Sequence, residues 1–104
     1  MKNIIIVLHE QSKGNKKMSM TVSLDETNRI GITYAAEEKL SGDVVLKFGK
    51  QLTNINAEAV RDAFESDNYE QMMKRIKERF QGTIFAYELL VDFLKSKQII
   101  PNEA

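Results

Sequence analysis

The only histidine of the chain is His9, followed at once by Glu10 and three positions on by Ser12. An imidazole beside a carboxylate and near a hydroxyl is raw material for acid–base catalysis or for a metal site, because imidazole changes charge near neutral pH and either ring nitrogen can ligate. The surrounding sequence completes neither device. A helical zinc motif needs a second histidine, and none exists. A serine nucleophile needs a strained strand-to-helix elbow and an orienting acid, and neither pattern is present around Ser12. His9 is therefore read as the point where a buried strand meets water, and no catalytic residue is assigned.

Two stretches could receive anions. "SKGNKK", residues 12–17, is a basic loop whose backbone N–H groups and Lys13, Lys16 and Lys17 could hold a phosphate. It departs from the Walker pattern, because no Lys-Ser/Thr pair follows a glycine at the required spacing. The segment "MMKRIKERFQGTIFAYELL" has the outline of a helix-turn-helix, with Lys74, Arg75, Lys77 and Arg79 on the polar side of its first helix. Its second helix would have to read bases with Glu88 and Asp92, which repel phosphates. Glu70 and Glu78 lie four residues either side of Lys74 and can pair with it. Lys13, Lys16, Lys17, Lys74 and Arg75 are kept as candidate anion contacts, with solvated surface as the plainer reading. "AAEEKLSGD" offers Glu37, Glu38 and Asp43 without the alternating oxygen ligands of a calcium loop, so it reads as a turn. No metal and no cofactor is assigned.

These residues must be positioned by elements whose period changes near residue 52. In "KMSMTVSL" Met18, Met20, Val22 and Leu24 alternate with polar residues, as in a strand with one face on a core. "DETN" supplies a turn of about four residues, and Ile30, Ile32 and Tyr34 share a face in the next strand. Val44, Leu46 and Phe48 continue the alternation in a further strand ending at Gly49. The segment Ile4 to Leu8 is apolar on both faces, which predicts an internal strand lying between the hairpin and the last strand. The second half predicts three helices. Ile55, Ala59, Val60, Ala63 and Phe64 line the first, capped by Asn54 or Asn56. A helix over 68–81 opens on Asp67 and Glu70, carries Tyr69, Met72, Met73, Ile76 and Phe80, and stops at Gly82. The last spans 84–98 behind Thr83 and is apolar on most sides. Met72 and Met73 are read as core against Met18 and Met20.

The expected fold is thus a single α+β domain over 1–104: a small antiparallel sheet of about four strands with three C-terminal helices packed on one face. Lys+Arg and Asp+Glu number 15 each, so the chain lacks the basic field that non-specific nucleic-acid binding draws on. There is no cysteine, which excludes disulfides, thiolate zinc sites and thiol catalysis. The apolar run before His9 is too short for a signal-peptide core, and no run reaches the ~20 residues of a membrane span. A cytoplasmic location is expected, the host cytoplasm if the protein is of phage or plasmid origin. The two-sided opening strand and the apolar last helix carry more oily surface than one small chain easily hides. Ile5, Val7, Tyr87, Val91 and Phe93 are therefore candidate partner or self-association residues. The expected function is a non-enzymatic protein–protein interaction module, such as a small adaptor, inhibitor or immunity-type protein, acting as a homodimer. The alternative is a nucleic-acid-associated accessory protein using loop 12–17 and the basic face of helix 68–81.

Overall fold

The computed structural model describes residues 3–101; residues 1–2 and 102–104, the ends of the 1–104 span, lie outside it. Four antiparallel strands precede three helices: β1 (Ile4–Lys13), β2 (Lys16–Leu24), β3 (Arg29–Lys39), β4 (Val45–Asn56), α1 (Ala57–Ala63), α2 (Tyr69–Phe80) and α3 (Ala86–Ser96). The α+β architecture expected from the pattern of periods is the one observed. The strands pair in chain order, β1-β2-β3-β4, as an antiparallel meander.

Short-range chemistry sets the connections. Lys13 pairs with Lys16, which leaves a two-residue turn at Gly14 and Asn15. Gly14 has φ +60°, the conformation that a turn matched to strand twist requires and that glycine adopts without a Cβ clash. The turn between β2 and β3 is organised by Asp25, whose carboxylate accepts from the Thr27 backbone N–H (2.8 Å), the Thr27 hydroxyl (2.7 Å) and the Arg29 N–H (3.0 Å). These bonds favour the ionised form, the Thr27 hydroxyl foremost, and hold the Asp25 carboxyl below its ordinary pKa.

The opening strand differs from expectation. β1 pairs with β2 alone and is an edge of the sheet. Ile4, Ile6 and Leu8 turn to the helices, whereas Ile5 and Val7 face outward and remain 65% and 40% exposed. The apolar second face, read as a sign of an internal position, has no covering layer among the described residues. The edge is blunted in another way. The register shifts between Val7 and His9, a bulge that twists the strand and interrupts its ladder. The Leu8 carbonyl then accepts from the Gly82 N–H at 2.9 Å, tying the α2–α3 junction to the strand.

β4 also runs further than its pattern implied. Gly49 is not a stop. It lies opposite Ala35, and a Cβ there would come within 2.6 Å of the Tyr34 carbonyl, so the glycine lets two strands approach closely. Ile55, read as the first turn of a helix, ends the strand opposite Ile30. Leu52 pairs with Ile32, so the register shifts there, and Asn54 has φ +60°. This irregularity returns Ile55 to the core three residues after Leu52, a spacing that mimics a helix.

The helices start where side chains satisfy free N–H groups. Asn56 accepts from the N–H groups of Glu58 and Ala59. Asn68, one residue later than expected, accepts from Gln71 N–H at 2.8 Å, and the Gln71 side chain accepts from Asp67 N–H at 2.7 Å. α3 has no side-chain cap; the Tyr87 N–H donates instead to Met20 Sδ on β2 (3.3 Å). The Thr83 hydroxyl accepts from the Phe85 N–H and its carbonyl from the Ala86 N–H, and Ile84 and Phe85 precede the helix, which begins at Ala86. The core joins Met20, Val22, Leu24, Ile30 and Ile32 of the sheet to Met72, Met73, Ile76, Tyr87, Leu90 and Leu94 of the helices. Each large side chain so buried contributes about 1.5–3 kcal/mol. Among the described residues no helix is long and apolar enough to cross a membrane.

Candidate interaction surface

The sheet is longer than the layer that covers it. A strand of 12 residues such as β4 spans about 40 Å at ~3.3 Å per residue, whereas the 12 residues of α2 span about 18 Å at 1.5 Å each. The helices cover the half of the sheet around Val22, Leu24, Ile30 and Ile32. The other half, from Met18 and Tyr34 to the turns at Gly14 and Gly42, projects beyond them as an overhang. This gives the molecule extents of 49 × 31 × 24 Å.

The two faces of the overhang differ in chemistry. On the helix side the pleat places Met18, Ala36 and Phe48 in one cross-strand row, with Leu46 and Tyr34 beside it. Tyr34 links this row to the covered half: its ring centroid lies 6.1 Å from that of Tyr87 and 6.2 Å from that of Phe48. Phe48 is 63% and Leu46 52% exposed. A hollow of about 220 Å³ opens there, bounded by Gln11, Met18, Tyr34, Ala36 and Phe48. The Lys16–Glu38 ion pair, at 3.9 Å, stands at its rim. Lys50 lies 5.9 Å from the Tyr87 ring centroid. Burial pushes the Tyr87 hydroxyl above its ordinary pKa, with the Glu88 charge adding to the effect.

Among the described residues no helix covers the outer face. Its overhang carries charged and hydroxyl side chains around a broad hollow of about 700 Å³, edged by Glu10, Ser12, Lys17, Ser19, Glu37 and Lys47, with Met18, Ala35, Ala36 and Phe48 also contributing to its lining. Ile5 and Val7 mark the apolar part of the same face, over the covered half of the sheet.

The residues singled out for chemistry do not converge. His9 Nε2 lies 3.3 Å from Gln11 Oε1. Beyond the bulge the pleat sends His9 and Gln11 to the helix side and Glu10 and Ser12 to the outer side, so strand geometry separates imidazole from hydroxyl. The loop lysines are likewise divided: Lys13 and Lys16 lie on the helix side and Lys17 on the outer side, opposite Glu37. Lys74 is exposed on α2. Arg75 is engaged within the chain, its Nη1 donating to the carbonyls of Phe64 (2.8 Å) and Glu65 (2.7 Å). Among the described residues no group of three or more His, Cys, Asp or Glu side chains could hold a metal ion.

Of the proposed partner residues, only Ile5 and Val7 are openly exposed. Tyr87 and Val91 are buried in the chain's own core at 6% and 7% exposure. Phe93 is half-buried, packed at 4.8 Å between centroids on Phe64 and roofed by the Arg79 guanidinium at 4.4 Å. The apolar breadth of α3 is thus absorbed by the sheet on one side and by an aromatic cluster on the other, except at Leu89, which stays exposed. The exposed large apolar residues outside the proposed partner set are Leu40, Val44 and Val45 around the β3–β4 turn, Leu46 and Phe48 on the overhang, and Ile84, Phe85 and Leu89 around the start of α3. The mismatch between long strands and short helices is the signal that marks Leu46 and Phe48. Compared with protein-family models, curated proteins and solved structures, the chain matches none of them.

Proposed function

We propose that the chain is a non-enzymatic protein–protein interaction module of the cytoplasm. It is a small adaptor, inhibitor or immunity-type protein, of a kind mobile elements encode, working as a homodimer. The observation that supports this reading is a four-stranded sheet with one face that has no covering layer among the described residues, on which Ile5 and Val7 are 65% and 40% exposed. Apolar side chains on an open sheet face lose water when another protein layer packs on them, at ~25 cal/mol per Å² removed. The polar trough beyond them, with Lys17, Glu37 and Lys47, supplies the charged rim that gives such a contact its register.

The test is capture from host extract followed by mass spectrometry, comparing the native chain with a variant carrying Ile5→Lys and Val7→Lys. A stoichiometric protein partner retained by the native chain and lost by the variant is the expected result, unchanged by nuclease treatment. Identical capture by both would overturn the assignment of the outer face. A partner lost on nuclease treatment would move the reading to the nucleic-acid alternative built on Lys13, Lys16, Lys17 and Lys74.

A further inference from the structure

We infer that the helix-side overhang is the homodimer interface, and that a second copy of this chain fills it with the Ile84–Phe85–Leu89 shoulder of its α3. The inference rests on the reading of the protein as a homodimer and assigns the surface that makes it one. Three observations lead there.

The first is area. A compact monomer of 11.9 kDa exposes about 6,000 Å², whereas this chain exposes 6970 Å². The surplus of about 1,000 Å² is comparable with the ~800 Å² that each partner commonly contributes to a stable interface. The Cα radius of gyration tells the same story, at 14.7 Å against about 13 Å for a compact chain of this length.

The second is complementarity within one chain. The overhang offers a hollow lined by Met18, Tyr34 and Phe48, and the start of α3 offers an apolar ridge. Ile84, Phe85 and Leu89 are 47%, 60% and 48% exposed. Phe85 stands two residues before Tyr87, whose ring meets Tyr34, which in turn meets Phe48. A two-fold interface lets the hollow of each protomer meet the ridge of the other at once.

The third is charge. The chain is formally neutral, so whole copies approach without net repulsion; at the rim Lys16 pairs with Glu38, while Lys13 and Lys50 are the further cations of that side. The outer overhang, with Glu10, Lys17, Glu37 and Lys47 at the corresponding positions, lacks the apolar row. It stays free for a different partner.

Light scattering coupled to size-exclusion tests the assignment. The native chain is expected at twice its 11.9 kDa mass. Leu46→Asp with Phe48→Asp is expected to halve that mass while circular dichroism remains native, and Ile5→Lys with Val7→Lys is expected to leave it doubled. The absence of cysteine permits a second, independent measurement. Copies carrying Phe48→Cys mixed with copies carrying Phe85→Cys should form a disulfide between chains under mild oxidation. A native chain at single mass would overturn the homodimer itself and leave the outer-face reading to its capture experiment. A doubled mass that survives the Leu46/Phe48 substitutions, or is abolished by those at Ile5 and Val7, would overturn this interface and keep the dimer.

Discussion

Arg75 sits on the exposed side of α2, yet its guanidinium bridges two carbonyls at the end of α1. Phe64 and Glu65 follow the last residue of α1, where no further helical turn supplies donors; the Ser66 hydroxyl also donates to the Phe64 carbonyl, and Glu65 turns the chain away with φ +52°. A fixed cation there neutralises the helix end and anchors the α1–α2 turn. Arg75→Ala should therefore lower the melting temperature by about 5–10 °C, the size expected for losing charge-assisted bonds in a chain this small. Lys74→Ala, one position away with no such bond, should stay within about 3 °C. Thermal unfolding followed by circular dichroism separates the two. Asp25 makes a pH-dependent contribution. Its folded pKa lies below its ordinary value because Thr27 and the Arg29 N–H bond its ionised form. The stability it adds is complete above the unfolded value and is lost as pH falls through the lower folded one. Asp25→Asn should flatten the acid limb of the urea midpoint measured from pH 5 down to pH 2, and leave the neutral side parallel to native. An acid limb of unchanged steepness would refute the assignment.

At the scale of elements, the change of period that separated strands from helices was legible, and so were the alternating faces of β2 and β3. What misled was backbone irregularity. The irregularity before Ile55 produced a three-residue apolar spacing inside a strand. The bulge after Val7 protected an edge that composition alone marked as interior. Gly49 could be read as a terminator only because sequence does not reveal what a glycine approaches. The candidate surface was half legible: Ile5 and Val7 were chosen from a two-sided strand. Tyr87 and Val91 were chosen from a helix whose apolar breadth its own sheet and aromatic cluster satisfy. Phe48 was visible as a strand residue, but its exposure follows from how far three short helices reach, which is a property of packing. The Gly49 geometry makes its own prediction. Gly49→Ala forces a methyl against the Tyr34 carbonyl and should destabilise the fold by about 1–3 kcal/mol. The urea midpoint should fall with an unchanged slope, since the surface exposed on unfolding stays the same.

The whole molecule is a half-roofed sheet: one end a packed two-layer core, the other a bare platform with an oily side and a charged side. That division gives one small chain two surfaces of different character, one with an apolar row and one edged by charged side chains. The order of elements along the chain has a temporal side as well. All four strands are translated before any of the helices that shield them, and the 40 residues from Ala57 to Ser96 take a ribosome roughly 2–8 s to add. During that interval Met20, Val22, Ile30 and Ile32 belong to a nascent sheet with nothing over them, a state prone to sticking to its neighbours on a polysome. The protein's hazardous moment is its birth, and the pace at which those 40 residues are decoded sets how long the sheet stays bare.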